Sequence, residues 1–114
     1  MIELLSREHK EKYLEFRRFV ESNIQPFASE WEMNEAIPRE TIDKCIEAGY
    51  IGGIMPKEFG GQGWDHLTYG VFTEAVAKAS TSLSGLFNVH TMVMKSILKW
   101  GTEEQKQKWL PYMI

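Results

Sequence analysis

A chain of 114 residues, 43% hydrophobic and 25% charged, suits one small globular domain. Its net charge of −3 leaves no basic face to replace phosphate counterions, so nucleic acid is not an expected partner. Cys45 is the single cysteine, so no disulfide framework exists and a reducing cytoplasm is the expected compartment. No stretch approaches the roughly 18 apolar residues of a membrane span. The opening Met1-Ile-Glu-Leu-Leu-Ser-Arg-Glu has neither a long apolar run nor an amphipathic Arg/Ser-rich leader, so neither secretion nor organelle import is expected.

Tyr13, Phe16, Val20, Ile24, Phe27 and Trp31 recur at spacings of three and four, one face of a helix from about Ser6 toward Trp31. Lys10, Glu11, Lys12, Glu15, Arg17, Arg18 and Glu21 make its solvated side. Pro26 has no N–H to donate and should bend this helix or shorten it; the expected outcome is a helix with a kink. Pro38 sits where a first helical turn wants it, Ile42 and Ile46 continue an apolar stripe beside Cys45, and Gly49 offers a stop.

From Gly49 to Gly63 the periodicity collapses, and six of the nine glycines fall in these fifteen residues. That density predicts a long structured loop. Asp65 is placed to cap a third helix, with Leu67, Val71, Ala75, Val76 and Ala79 on its buried side and small residues at 75, 77 and 79 allowing close packing. The cluster Ser80-Thr-Ser-Leu-Ser84 interrupts the pattern and can cap a fourth. That helix carries Leu86, Val89, Val93, Ile97 and Trp100 on one stripe and Phe87, His90, Met94 and Leu98 on the next. Gly101 closes it. Thr102 with Gln105 three residues on is a capping box that opens a fifth, and Pro111 is expected to end it. No segment alternates, so the expected fold is all-α: a bundle of about five helices, with the glycine-rich loop between the second and third.

Few residues suggest chemistry. The glycines at 49, 52, 53 and at 60, 61, 63 echo a phosphate-binding loop, but a helix precedes them, the G-x-G-x-x-G spacing fails, and Lys57 is not in a G-K-[ST] context. His9, His66 and His90 are not at ligand spacing with carboxylate or cysteine, so no metal site is nominated. His90, mid-helix among apolar neighbours, reads as a hydrogen-bonded core histidine sooner than a base. The acidic residues lie mostly on solvated faces, and Cys45 reads as a small buried hydrophobe. No catalytic residue is assigned. Ser84 and Asn88 share a helix face beside Gly85, either a solvated helix start or a polar wall with a use.

Taken in order, the motifs resemble the N-terminal helical domain of the acyl-CoA dehydrogenase family. They are Pro38 before helix two, the Gly49 stop, Met55-Pro-Lys-Glu-Phe-Gly-Gly-Gln-Gly63, the Ala-rich third helix, Asn88-Val-His90, and Gly101-Thr-Glu-Glu-Gln-Lys106. The resemblance covers nearly the whole chain, residues 1–114. It implies that the loop glycines serve compact backbone geometry. Positions matching Ser84, Gly85 and Asn88, and more weakly Phe87, would lie near the deep end of an acyl-chain pocket. It also implies FAD held with a middle β-domain and a C-terminal helical bundle, and a catalytic glutamate from the C-terminal half. No cofactor-binding residue is assigned here.

The implied substrate is an acyl-CoA or an acyl-carrier-protein thioester, desaturated at its α,β-bond. Electrons would pass to an electron-transfer flavoprotein, and the enzyme would be a homo-oligomer, commonly a tetramer. The natural protein is then expected to continue past Ile114, with the fragment alone inactive; if Trp31, Phe59 or Trp64 pack on the missing domains, the lone fragment would expose an apolar patch and tend to associate. A free-standing, non-catalytic helical binding or assembly module is the alternative.

Overall fold

The computed structural model describes residues 2–114, and among them every regular element is helical. The α-helices are α1 (Arg7–Asn23), α2 (Ala28–Asn34), α3 (Arg39–Glu47), α4 (His66–Ala79), α5 (Thr81–Trp100) and α6 (Glu103–Met113). One-turn 3₁₀ segments stand at Ile2–Leu4 and Lys57–Phe59. The all-α expectation holds with six helices in place of about five.

The extra helix comes from Pro26: of the two expected effects the structure shows the shortening and not the kink, with α1 ending at Asn23 and α2 starting at Ala28. The N–H groups of Ile24 and Gln25 both converge on the Val20 carbonyl, at 3.0 and 2.9 Å, and Pro26 has none to continue the ladder. The turn lets Ile24 drop fully into the core and restarts the chain as α2, where Phe27 stacks on a buried Trp31. At the other end the outcome reverses. Helix α6 runs through Pro111 to Met113, with Ile114 N–H donating to the Leu110 carbonyl at 3.0 Å. A proline this close to a C-terminus removes one ladder bond, and its φ suits the helix.

Local signals account for most of the starts and stops. Ser6, Asp65 and Ser80 each accept an N–H three residues on, capping α1, α4 and α5. Thr102 and Gln105 make both bonds of the capping box, at 2.9 and 3.2 Å. After α3, Gly49 N–H donates to Ile46 O and Tyr50 N–H to Cys45 O, a Schellman stop that needs the left-handed φ of 78° at Gly49.

Helix α1 packs along α4, α4 along α5, and α5 against α6. Where α1 and α4 meet, Phe16, Tyr50, Trp64 and Phe72 form one cluster in which all six ring pairs lie 5.1–5.9 Å apart. Phe87 of α5 extends it by stacking on Phe72 at 5.6 Å. Tyr50 meets its polar requirement by donating its hydroxyl to Glu15 at 3.0 Å, and burial chiefly, with Glu15 second, pushes its phenol pKa up. A second, smaller core of Met55, Phe59, Met94 and Leu110 ties the glycine loop to α5 and α6. Trp31 and Phe59 are buried in the domain and Trp64 is packed against the first core, so the residues expected to await other domains are used internally.

Replacing Phe16 removes the ring that touches three others. Phe16→Ala is expected to lower the unfolding free energy by about 3–5 kcal/mol in urea titration. Leu14→Ala, at a half-exposed site on the same helix, is expected to change it by no more than about 0.5 kcal/mol. Comparable losses for both would show that the ring cluster is not the keystone.

Candidate functional site

The four positions singled out from the sequence occupy the first two turns of α5, and the structure divides them. Ser84 and Phe87 turn inward, 6% and 3% exposed, with Phe87 on the aromatic cluster. Gly85 and Asn88 are exposed. A methyl group added at Gly85 would meet nothing within 4 Å, so packing does not require glycine there. The Asn88 Oδ1 accepts the Tyr69 hydroxyl at 2.7 Å, which fixes the amide across the α4–α5 seam.

Asn88 and Tyr69 open onto a groove of about 770 Å³, its surface largely apolar, also walled by Ile54, Met92, Lys95 and Trp100. Its volume falls in the range of small-molecule sites. The groove was not visible as a site in the sequence, although Asn88, Met92, Lys95 and Lys99 recur at spacings of three and four and mark a mixed face of α5. On a third face Leu86, Val89, Val93 and Trp100 are exposed, Val89 by 63% and Trp100 by 73%. Of the two stripes expected for this helix, the second is therefore the inner one: Phe87 and Met94 are buried and His90 and Leu98 partly so. On α4 the same holds for Leu67, which is half-exposed while Thr68 and Phe72 take buried places.

Two of the three histidines, His90 and His9, are structural. His90 donates its Nε2–H to the Met113 carbonyl at 2.8 Å, which pins the end of α6. His9 joins Ser6 Oγ at 2.6 Å to Asp65 Oδ2 at 2.8 Å. A serine–histidine–aspartate chain invites comparison with a nucleophilic triad, but both outer residues are helix caps. Ser6 Oγ accepts the His9 N–H, and Asp65 Oδ1 accepts the Thr68 N–H at 2.7 Å. The arrangement interlocks the starts of α1 and α4. Cys45 is fully buried and its thiol is pushed up to about 12, so it is a protonated hydrophobe at neutral pH. Among the described residues no three His, Cys, Asp or Glu side chains converge on a metal-sized space.

The loop glycines face protein. A methyl group at Gly53 would stand 2.5 Å from the Trp64 ring, and at Gly52 2.9 Å from the Ile114 side chain. At these two positions packing against Trp64 and Ile114 accounts for glycine.

A family model described as "Acyl-CoA dehydrogenase, N-terminal domain" matches residues 6–114. The chain belongs to the acyl-CoA dehydrogenase family, at its N-terminal domain. It is 35% identical to the short-chain specific acyl-CoA dehydrogenase of Clostridium acetobutylicum over 93% of this chain and 28% of that protein. It is 33% identical to the glutaryl-CoA dehydrogenase of Desulfococcus multivorans over 94% and 28%. The acyl-CoA dehydrogenase of Geobacillus kaustophilus superposes with a TM-score of 0.88 at 35% identity, over 96% of this chain and 29% of that one. The chain spans about a quarter of the length of the curated relatives it matches. Among the described residues no helix is long and apolar enough to cross a membrane.

An acyl-CoA dehydrogenase N-terminal domain raises the question of FAD. Its residues do not form a site for that cofactor alone: the loop is filled by its own side chains, and the groove offers isolated lysines in place of converging N–H groups.

The cap interlock has a pH consequence. Hydrogen bonds from the Thr68 side chain and N–H first, and from His9 next, hold the Asp65 carboxyl down to about 2. A carboxyl lowered in the folded state stabilises the fold above its unfolded value near 4, and that contribution is lost as the pH falls toward 2. Asp65→Asn keeps a capping side chain and removes the titration. Its melting temperature is expected to fall less than the parent's between pH 5 and pH 2. Parallel slopes would exclude Asp65 as a contributor to acid lability.

Proposed function

We propose that this chain is the N-terminal helical wall of an FAD-dependent acyl-thioester dehydrogenase, in which the outer face of α5 forms part of the acyl pocket. The observation that carries the reading is the groove beside Asn88. It is apolar, open on one side, and belongs to a domain whose two cores close without it.

In this reading the domain supplies walls, orientation and exclusion of water. FAD, bound largely by domains outside these 114 residues, supplies hydride acceptance, and the base comes from the same domains. The carrier of the acyl group is CoA or an acyl-carrier protein. The electron acceptor is an electron-transfer flavoprotein, and the assembly is a homo-oligomer. The exposed Leu86–Val89–Val93 stripe fits a helix face meant for burial on assembly. A polar side chain at Asn88, next to Gly85, favours a short or functionalised acyl group over a long one.

Two measurements test the proposal. The natural gene product is expected to carry bound flavin and a mass three- to fourfold that of this chain, the inverse of the 23–29% coverage of its relatives. A product of this chain's own mass without flavin would leave the binding or assembly module in its place. In the complete enzyme, Asn88→Leu is expected to move the optimum toward shorter acyl chains, with kcat/KM for the longest accepted substrate falling at least tenfold. That ratio corresponds to about 1.4 kcal/mol of lost transition-state binding. An unchanged chain-length profile would remove Asn88 from the pocket.

A further inference from the structure

Next to the groove lies a second space, too narrow to hold a water molecule, walled by Tyr50, Phe72, Phe87 and His90. Tyr69 and Thr91 border both spaces. Thr91 is short and buried, so the Tyr69 ring is the larger body between them. The polar atoms of the inner space are already engaged. The Tyr50 hydroxyl donates to Glu15 at 3.0 Å and His90 Nε2 bonds the Met113 carbonyl at 2.8 Å. What remains free there is aromatic surface, and a dry gap of that kind suits hydrocarbon. Tyr69 itself is held twice. Its ring packs against the first core, and its hydroxyl donates to Asn88 Oδ1 at 2.7 Å. A tyrosine has only two side-chain torsions, and a seated ring with a tied tip leaves neither free.

We propose that Tyr69 is the length-determining residue of the groove. Its ring is the stop at the inner end: core packing seats it, and the bond to Asn88 fixes its edge. The inference rests on the acyl-pocket reading and names the side chain that limits what the pocket accepts. A chain running along the apolar walls meets this ring. With the ring removed, the chain would pass Thr91 into the space beside Phe72 and Phe87, where it meets aromatic faces and no unpaired polar atom. Each methylene buried there is worth about a fourfold gain in binding, so two are worth at least about tenfold.

The complete enzyme, assayed with butyryl-, hexanoyl-, octanoyl- and decanoyl-CoA and an artificial electron acceptor, tests the assignment. Tyr69→Ala is expected to raise kcat/KM at least about tenfold for the thioester two carbons beyond the parent's longest good substrate. For the shortest thioester the change is expected to stay within about twofold. Tyr69→Phe keeps the ring seated in the core and is expected to keep the parent's length limit. Bound flavin and a cooperative melt show whether the alanine variant is folded. Should it not be, Tyr69→Leu, which retains apolar packing, is expected to move the limit in the same direction. A loss by one common factor at every chain length would mark Tyr69 as structural only and overturn the stop. Asn88→Leu is the control for the pocket itself. If it shifts the profile while neither Tyr69→Ala nor Tyr69→Leu does, the stop is overturned and the acyl-pocket reading stands. If none of these variants shifts the profile, both are overturned.

Discussion

The domain depends on four aromatic rings brought together from three separate stretches of chain. Phe16 comes from α1, Tyr50 and Trp64 from the two ends of the glycine loop, and Phe72 from α4. Such pairs contribute about 0.5–1.5 kcal/mol each beyond simple burial. Holding both ends of the loop in one cluster forces its interior to be compact. Trp64 N–H bonds the Gly53 carbonyl at 3.0 Å while its ring lies over the Gly53 Cα, so a side chain at 53 would displace the ring from the cluster. The glycine content of the loop thus follows from the packing of its neighbours, and no bound ligand is needed to explain it.

The same cluster decides how α5 is turned. Two apolar stripes run along this helix with the same period, and periodicity alone cannot choose between them. Phe87 stacking on Phe72 puts its own stripe inside and leaves Leu86, Val89, Val93 and Trp100 outside. With α4 on one side and α6 below, the remaining mixed face of Asn88, Met92 and Lys95 becomes a groove wall. The free apolar stripe and the groove are two consequences of one choice of inner face.

What was legible in the sequence was what is local. The caps at Asp65, Ser80 and Thr102 and the stop at Gly49 use bonds spanning a few residues, and each could be read from residue type and spacing. The two prolines could be seen but not weighed. At Pro26 a break allows Ile24 and Trp31 to be buried together; at Pro111 continuation allows Leu110 to be buried and Met113 to meet His90. Both outcomes turn on tertiary contacts that a propensity does not contain. The order of motifs was enough to place the chain in its family. The groove was not legible, because its two sides, Tyr69 and Asn88, lie 19 residues apart on helices whose relative rotation is fixed only by the rings between them.

The two cores differ in kind, and the groove stands on both. The first is a rigid aromatic block. The second has two methionines among its four buried side chains, and Met is the side chain that best adapts to irregular gaps. Ile54 and Leu98 pack against this second core and also line the groove, while Tyr69 packs against the first. One wall is therefore set by stiff rings and the other by a small cluster that the last turn of α6 helps to close. Local opening should favour that second cluster, since few side chains hold it. A groove built this way can adjust its width on the α6 side while the Tyr69–Asn88 bond keeps its other edge fixed.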